Sequence, residues 1–391
     1  MEKDLSNNLW KFFIFSLSQR RHFIPILAIY FLTLPNTNAQ QIGTYVAIGY
    51  FASFLFEIPS GYFADIFGHK RTLILAKILM ILSLFSFIFA QSLYHFIAGS
   101  ALLSLSFAAT SGTSSAFIHN TISCLNKEKE FTKIMSKIAA NVSLASALLI
   151  ILLPFLTEIS IVLPLKINLI FDLIGLVAVL SLKSPEECYH IAQGKPQSFF
   201  HIVKTAIDPK FYPTAIFVGS IGGFIMATNG YRYVYLESLG YPIILIGFVM
   251  GLSRLFWFFI GHNAHLLEQK IGMKKIFKIE IFLFPLILLS TSYFSNPYLN
   301  GFMFSLLMGY FWGRNHLING YFLKNFLNNK HYKATMLSVK NQIQLAFQII
   351  VAFGISFVMR ESYKIGYLTL GILLFVILML LYPYLEKTLP N

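Results

Sequence analysis

Charge is scarce in this 391-residue sequence, in which Asp, Glu, Lys and Arg together make up 12% of the residues. Soluble domains carry about 25% charged residues, so this scarcity excludes an ordinary soluble protein. Negatively charged residues are rarer than positively charged ones, with 16 Asp and Glu against 30 Lys and Arg. Cysteine is nearly absent: Cys124 and Cys188 both fall in predicted cytoplasmic segments, so no disulfide is expected.

Sequence motifs of catalysis and of cofactor binding are also missing. The chain has no HExxH, no GxSxG, no paired cysteine ligands and no phosphate-binding loop. We therefore expect no enzyme activity, no cofactor and no metal site. The net charge of +14 could indicate nucleic-acid binding. However, the basic residues lie in short clusters between apolar runs, which favours membrane topology and no nucleic-acid partner.

Apolar residues dominate instead, at 56% of the chain, and the mean hydropathy is +0.68. A membrane-spanning helix needs about 20 mostly apolar residues, and twelve segments meet that requirement. The predicted spans are 12–34, 41–63, 72–90, 94–118, 134–156, 162–182, 211–235, 242–262, 276–294, 300–322, 336–358 and 364–384. The composition and these spans predict an all-α integral membrane protein.

The basic residues indicate the side of the membrane that each connecting segment faces. If the N-terminus is cytoplasmic, most of the 30 Lys and Arg, Lys77 among them, fall in cytoplasmic segments, as the positive-inside rule requires. Both termini are therefore predicted to be cytoplasmic. The longest polar stretch predicts a first six-helix bundle over 1–183, a cytoplasmic loop over 184–210 and a second bundle over 211–391.

A short internal repeat favours two related halves. GHKR at 68–71 follows the second predicted span, and GMKK at 272–275 follows the eighth. A repeat of two six-helix halves is a recurring plan of secondary transporters. Two basic turns of four residues can also match by chance, so the repeat gains weight only beside other motifs.

The segment EIPSGYFADIFGHKR, at 57–71, resembles the loop between the second and third helices of the major facilitator superfamily. The residues that match the spacing of that loop are Gly61, Asp65, Gly68, Lys70 and Arg71. EIPSG, SGTSSAF at 111–117 and KATMLS at 333–338 are similar to segments of one bacterial branch of that family. The resemblance implies two pseudo-symmetric six-helix bundles, transport by alternating access in the bacterial inner membrane, and a conformational latch at this loop. The alternative is a solvated turn that only fixes topology.

Several basic residues fall at membrane depth, where a charge costs about 2.5–3.5 kcal/mol on insertion scales. They lie on helices that, by the resemblance, line the central path, and guanidinium groups bind carboxylates and phosphates bidentately. The candidate substrate-binding residues are Arg20, Arg21, Arg254, Arg314, Asn315 and His316, with Arg232 and Lys340 as further basic residues. Arg20 and Arg21 are adjacent, so on a helix they point about 100° apart. The alternative is that these arginines reach an interface or pair with Glu57, Asp172 or a helix C-terminus.

These residues predict a monomeric secondary transporter for a small organic anion, such as a carboxylate metabolite or a carboxylate-type siderophore. Proton coupling is expected by analogy with the resembled family, and Glu57 and Asp172 are its candidate residues. The alternative function is multidrug efflux. The fifth predicted span has no glycine, which disfavours the glycine-rich pattern of drug/proton antiporters. A sensor with a transporter fold is also compatible with the sequence.

Overall fold

The computed structural model describes residues 2–111, 113–127, 130–185, 208–263, 269–326 and 333–388. All regular secondary structure in these ranges is helical. The first eight α-helices are α1 (Glu2–Ser18), α2 (Ile24–Leu32), α3 (Ala39–Phe67), α4 (His69–Ile88), α5 (Leu93–Thr110), α6 (Thr113–Cys124), α7 (Phe131–Leu152) and α8 (Leu163–Leu180). The next eight are α9 (Phe211–Ala227), α10 (Tyr231–Ser238), α11 (Ile246–His262), α12 (Met273–Tyr293), α13 (Pro297–Gly313), α14 (Asn315–Asn325), α15 (Lys333–Glu361) and α16 (Tyr363–Glu386). Short 3₁₀ helices, Leu153–Glu158 and Ile243–Leu245, follow α7 and precede α11.

The helices agree with the predicted membrane spans in position. Eight described helical segments are long and apolar enough to cross a membrane, or nine if α9 and α10, bent by 45°, form one span. The remaining three predicted spans, the first, second and tenth, correspond to α1–α2, α3 and α13–α14. Large apolar side chains are exposed on the outside of the helices, as on Leu148, Leu286 and Leu380. An exposed apolar surface of this extent fits a lipid environment.

Four predicted spans are interrupted, and the interruptions follow one pattern. The first and fourth spans divide into α1–α2 and α5–α6, while the seventh and tenth divide into α9–α10 and α13–α14. In each group of six spans, the first and the fourth are therefore interrupted. Discontinuous helices leave backbone groups without helical partners, and in transporters such breaks lie at binding sites.

The GHKR and GMKK repeat corresponds to one repeated backbone conformation. Gly68 precedes α4 with φ 89° and ψ 145°, and Gly272 precedes α12 with φ 78° and ψ 150°. Residues with a Cβ atom rarely adopt this region. Both turns therefore require glycine, and the sequence repeat marks equivalent turns before α4 and α12. The predicted loop over 184–210 lies outside the described residues between 186 and 207.

Helices α1–α8 pack mainly on one another, as do α9–α16, and the two groups meet along α3 with α15 and α7 with α11. Their tightest contacts lie at the end of the molecule opposite both chain termini, which we call the distal end. There Gly43 of α3 lies against Ala352 and Ser356 of α15. The Tyr231 hydroxyl donates to the Ala39 carbonyl oxygen at 3.0 Å. The two helix groups are therefore in close contact at the distal end.

The opposite, proximal end holds both chain termini, and there the helices facing the interface leave polar side chains exposed. Asn141 and Ser143 of α7 and Asn341 of α15 are exposed. Exposed amide and hydroxyl groups on membrane helices indicate contact with a water-filled cavity. The molecule is thus closed at its distal end and open at its proximal end.

Candidate functional site

The break between α1 and α2 places two adjacent arginines in different environments. Helix α1 ends at Ser18, and α2 begins at Ile24 with Pro25 in its first turn. Proline suits this position, because the N–H groups of a first turn have no helical partner and the N–H that proline lacks is not needed. Residues 19–23 between them are not helical. Arg21 is buried, whereas Arg20 is partly exposed. The non-helical backbone separates the two side chains.

Arg21 belongs to a buried ionic triad inside the N-terminal helices. Its two terminal nitrogens donate to the two carboxylate oxygens of Asp172 at 2.7 and 2.6 Å. Lys77 Nζ lies 3.0 Å from Asp172 Oδ1, and all three side chains are at most 1% exposed. Lys77 also donates to the Ser18 carbonyl oxygen at 3.1 Å, and Arg21 donates to the same oxygen. The triad therefore anchors the end of α1 to α4 and α8.

The triad changes the interpretation of two predicted residues and corrects a third. Both oxygens of Asp172, a proton-coupling candidate, accept hydrogen bonds from cations. Arg21, a substrate-binding candidate, directs its terminal nitrogens to Asp172 and Ser18. The prediction that Lys77 lies in a cytoplasmic segment is wrong, because its side chain is fully buried within the span His69–Ile88.

His22 secures the same break from a second side. Its backbone N–H donates to Asn168 Oδ1 at 3.2 Å, and its imidazole Nδ1 lies 3.3 Å from the same oxygen. Its Nε2 lies 3.2 Å from the Ser146 hydroxyl of α7. All three side chains are buried. The α1–α2 break is therefore tied to α7 and α8 as well as to α4.

A second buried ion pair lies at the break between α13 and α14. Arg314 stands between these helices and donates to Glu280 Oε2 at 2.8 Å, with the two side chains 3% and 0% exposed. The Tyr310 hydroxyl donates to the other carboxylate oxygen at 3.1 Å. The Arg314 guanidinium lies over the rings of Phe284 and Phe311, 5.0 and 5.5 Å from their centroids. Arg314 thus has an acidic partner that the sequence analysis did not single out.

Arg254 differs from Arg21 and Arg314 because it has no acidic partner among the residues that the structure describes. It lies in the middle of α11, with its guanidinium 5.4 and 5.3 Å from the ring centroids of Trp257 and Trp312. No hydrogen bond or ion pair to its guanidinium is found within the described part of the chain. Its positive charge is therefore uncompensated by any described carboxylate.

Arg20 lies in the non-helical segment 19–23 of the N-terminal helices and is partly exposed. Its side chain also has no hydrogen-bond or ion-pair partner among the described residues. The neighbouring Gln19 amide is buried, and neither its nitrogen nor its oxygen has a described partner. Polar groups without partners are costly at membrane depth, which sets these three residues apart from the paired arginines Arg21 and Arg314.

A cavity of about 280 Å³ lies beside Arg254 between α7 and α11. Its wall combines one guanidinium, two aromatic rings, an imidazole and a hydroxyl group. The lining residues are Ser143, Arg254, Trp257, Phe258, Gly261 and His262. The imidazole of His262 stacks on the ring of Phe258, with centroids 5.9 Å apart and planes inclined by 17°. The cavity is thus basic and aromatic, and its described wall contains no carboxylate.

Two motifs that lie far apart in the sequence meet near the end of α3. The Ser111 hydroxyl, at the α5–α6 break, donates to Glu57 Oε1 at 3.3 Å. The Ser60 hydroxyl donates to the Ala108 carbonyl oxygen at 2.9 Å. Glu57, the other coupling candidate, is half-buried and has no described cationic partner. The EIPSG and SGTSSAF segments therefore form one contact between α3 and α5.

The remaining predicted residues have varied environments. Gly61 and Asp65 lie in the last turns of α3, but the Asp65 side chain lies outside the described part, as does that of His316. Lys70 is half-buried and Arg71 is exposed at the start of α4, while Asn315 is half-buried at the start of α14. Two further basic residues have polar partners: Arg232 donates to Asn229 at 2.5 Å and Lys340 donates to Asn319 at 2.7 Å. The latch itself stays a prediction.

This architecture, with two helix groups around a cavity, paired helix breaks and a face open at one end, is that of a membrane transport protein rather than an enzyme. The family model of the Major Facilitator Superfamily matches residues 10–341. The chain therefore belongs to the major facilitator superfamily.

Solved structures share this fold at low sequence identity. The crystal structure of nucleoside transporter NupG matches with a TM-score of 0.77 and 13% identity, over 99% of this chain and 98% of the other. That of the D-xylose-proton symporter matches with a TM-score of 0.70 and 13% identity, over 98% of this chain and 97% of the other. A peptide transporter POT in complex with sulfate matches with a TM-score of 0.68 and 12% identity, over 98% and 96%. A search of curated proteins gave no match.

Proposed function

We propose that this transporter carries a small organic anion, and that Arg20 and Arg254 bind it. The observation that carries the proposal is the cavity beside Arg254, whose described wall contains a guanidinium group and no carboxylate. An anion between them offsets their mutual repulsion and their desolvation. In this proposal Arg21 and Arg314 have a structural role, because each already binds a buried carboxylate.

The position of the two arginines relates binding to conformational change. Arg20 belongs to the N-terminal helices and Arg254 to the C-terminal helices. An anion held by both draws the two groups together, whereas the empty site leaves two like charges apart. The anion thus binds more tightly when the two helix groups are close together than when they are apart. Alternating access requires such a difference, since a ligand shifts a conformational equilibrium only by its difference in affinity for the two conformations. In this proposal the substrate enters the site from the proximal end.

The membrane orientation and the coupling ion complete the proposal. With both termini in the cytoplasm of a bacterial inner membrane, the open proximal end faces the cytoplasm. Glu57 suits proton coupling better than Asp172, because it is half-buried with a single hydroxyl partner, whereas Asp172 binds two cations. The sulfate complex of a peptide transporter of the same fold supports only the general point that an anion can be held within this architecture.

Transport in proteoliposomes tests the proposal. A panel of radiolabelled mono- and dicarboxylates is offered under an imposed pH gradient to the wild type, Arg20→Gln and Arg254→Gln. Lys166→Gln, at an exposed lysine of α8, is the control for loss of one positive charge. We expect the apparent KM for the transported anion to rise about tenfold or more in both arginine variants, because each loses charge-assisted hydrogen bonds. Unchanged KM values in both would refute the proposal, and arginine-independent transport of varied cationic drugs would favour efflux.

A further inference from the structure

We propose that Trp257 and Trp312 are positioning residues for Arg254: their indole rings hold its guanidinium group so that the free side of the group meets the transported anion. This inference rests on the proposed function and identifies the groups that orient the anion-binding residue. It depends on the geometry of the two rings, on the position of Arg254 in the membrane and on the packing of α11 against α13.

The two indole rings lie on one side of the guanidinium group. The Arg254 Cζ atom is 5.4 Å from the ring centroid of Trp257 and 5.3 Å from that of Trp312, and the two centroids are 6.2 Å apart. These three distances form a nearly equilateral triangle, so the rings do not lie on opposite faces of the group. Their planes are inclined by 62°, and the rings therefore form a corner over which the guanidinium lies.

The other side of the guanidinium group is free for a ligand. Arg254 lines the cavity of about 280 Å³ together with Ser143, Phe258 and His262. None of its three guanidinium nitrogens has a hydrogen-bond or ion-pair partner among the described residues, and Nε is buried. A carboxylate accepts two parallel hydrogen bonds from a guanidinium group, in the plane of that group. The orientation of this plane therefore decides how well a carboxylate binds.

An arginine at this position needs support from its surroundings. Arg254 lies within the membrane span Ile243–His262, and long basic side chains in membrane helices extend toward the nearest water. Water is close, because Ser143 in the same cavity wall is exposed at the proximal opening. The attraction between a cation and the faces of aromatic rings opposes this extension. Two rings in a corner hold the group more firmly than one ring does.

The close packing of α11 and α13 brings Trp312 to Arg254. Gly309 and Gly313 lie one helical turn apart on α13 and face α11, and a Cβ atom on Gly309 would lie 2.9 Å from the Ser253 carbonyl oxygen. Small residues let the backbones of membrane helices approach closely. Trp312 stands directly before the second of these glycines, so its ring reaches the guanidinium from the neighbouring helix.

Transport kinetics in proteoliposomes test the positioning role. The probes are radiolabelled benzoate, lactate and succinate, and the KM and the maximal rate are measured for the one that the wild type carries fastest. Trp312 is changed first, because Trp257 also lines the cavity and its loss would alter a direct contact. Trp312→Leu removes the ring and Trp312→Phe keeps one. Trp10→Leu is the matched control, since Trp10 lies on α1 and is 55% exposed.

We expect Trp312→Leu to raise the KM about fivefold or more, because it removes one cation–π contact and frees the guanidinium. The maximal rate should change much less, since the ring acts on binding. Trp312→Phe should raise the KM less than Trp312→Leu does, and Trp10→Leu should leave it unchanged. In an Arg254→Gln background, Trp312→Leu should cause no further rise, because no guanidinium is left to hold. Melting temperatures establish that each variant is folded, and Trp312→Met replaces Trp312→Leu if the latter is not.

Three results would overturn the inference. A KM unchanged by Trp312→Leu but raised by Arg254→Gln would show that the anion site does not need the ring. An equal rise with and without Arg254 would show that Trp312 acts only through the packing of α13. Both results leave the proposed function in place. A KM unchanged by Arg254→Gln would also overturn the inference, and a KM unchanged by Arg20→Gln as well would refute the proposed function, as would a lack of transport of every carboxylate probe.

Discussion

Removal of Asp172 should destabilise the protein far more than removal of its partner Lys77. The triad contains two cations and one anion, so it has a net positive charge inside the N-terminal helices. Asp172→Asn leaves Arg21 and Lys77 buried together with no anion, and breaking a buried ion pair in this way costs about 3–5 kcal/mol. Lys77→Met leaves the bidentate Arg21–Asp172 pair intact and neutral, so its cost should be much smaller.

The assay is unfolding of the purified variants in detergent micelles, followed by tryptophan fluorescence. The expected order of stability is wild type, Lys77→Met, Lys77→Met/Asp172→Asn and then Asp172→Asn, because the double variant keeps only one unpaired cation. Glu386→Gln is the control, since its pair with Lys274 is about half exposed and such surface pairs contribute little. Asp172→Asn no less stable than Lys77→Met would refute the reasoning on buried charge.

Three further predictions concern other parts of the structure. Gly43→Leu should prevent distal closure, because a Cβ there would lie 2.7 Å from the Tyr231 hydroxyl and closer still to Ser356. Labelling of a Gln40→Cys reporter by an impermeant maleimide should then increase, and unchanged labelling would contradict this prediction. Gly68→Ala and Gly272→Ala should each lower the free energy of unfolding by about 1–3 kcal/mol, because both glycines have a positive φ. The two variants should show similar decreases in melting temperature, and a decrease in only one would argue against equivalent turns. Arg314→Gln should destabilise the protein by leaving Glu280 without its cation. Adding Glu280→Gln to the same chain should restore part of the stability. No recovery would show that the broken ion pair does not cause the destabilisation.

Much of the fold could be predicted from hydropathy, because a membrane span has a required length and composition. All twelve predicted spans correspond to a helix or to an interrupted helix in the described ranges. The interruptions were not predicted. All four lie at polar or small residues, at 19–22 and near Ser111, Gly230 and Arg314, which hydropathy averaged over a span does not detect. The Gly68 and Gly272 repeat did indicate a real structural equivalence.

The site was harder to predict because a sequence shows charges but not their partners. Arg20, Arg21, Arg254 and Arg314 look alike as single arginines in apolar segments, yet two bind buried carboxylates and two have no described acidic partner. Glu280 was missed although it lies inside the ninth predicted span. A solitary glutamate within an apolar run was the available signal, since such a residue needs a buried cation.

The distal closure has a consequence for how the protein responds to its surroundings. It consists mainly of close glycine contacts and neutral hydrogen bonds such as that from the Tyr231 hydroxyl to the Ala39 carbonyl oxygen. None of the ion pairs between described side chains joins α1–α8 to α9–α16. Salt screens charge pairs but leaves steric fit and neutral hydrogen bonds largely unchanged. The stability of these distal contacts should therefore be nearly independent of ionic strength, so that the salt concentration on that side of the membrane can vary without loosening them.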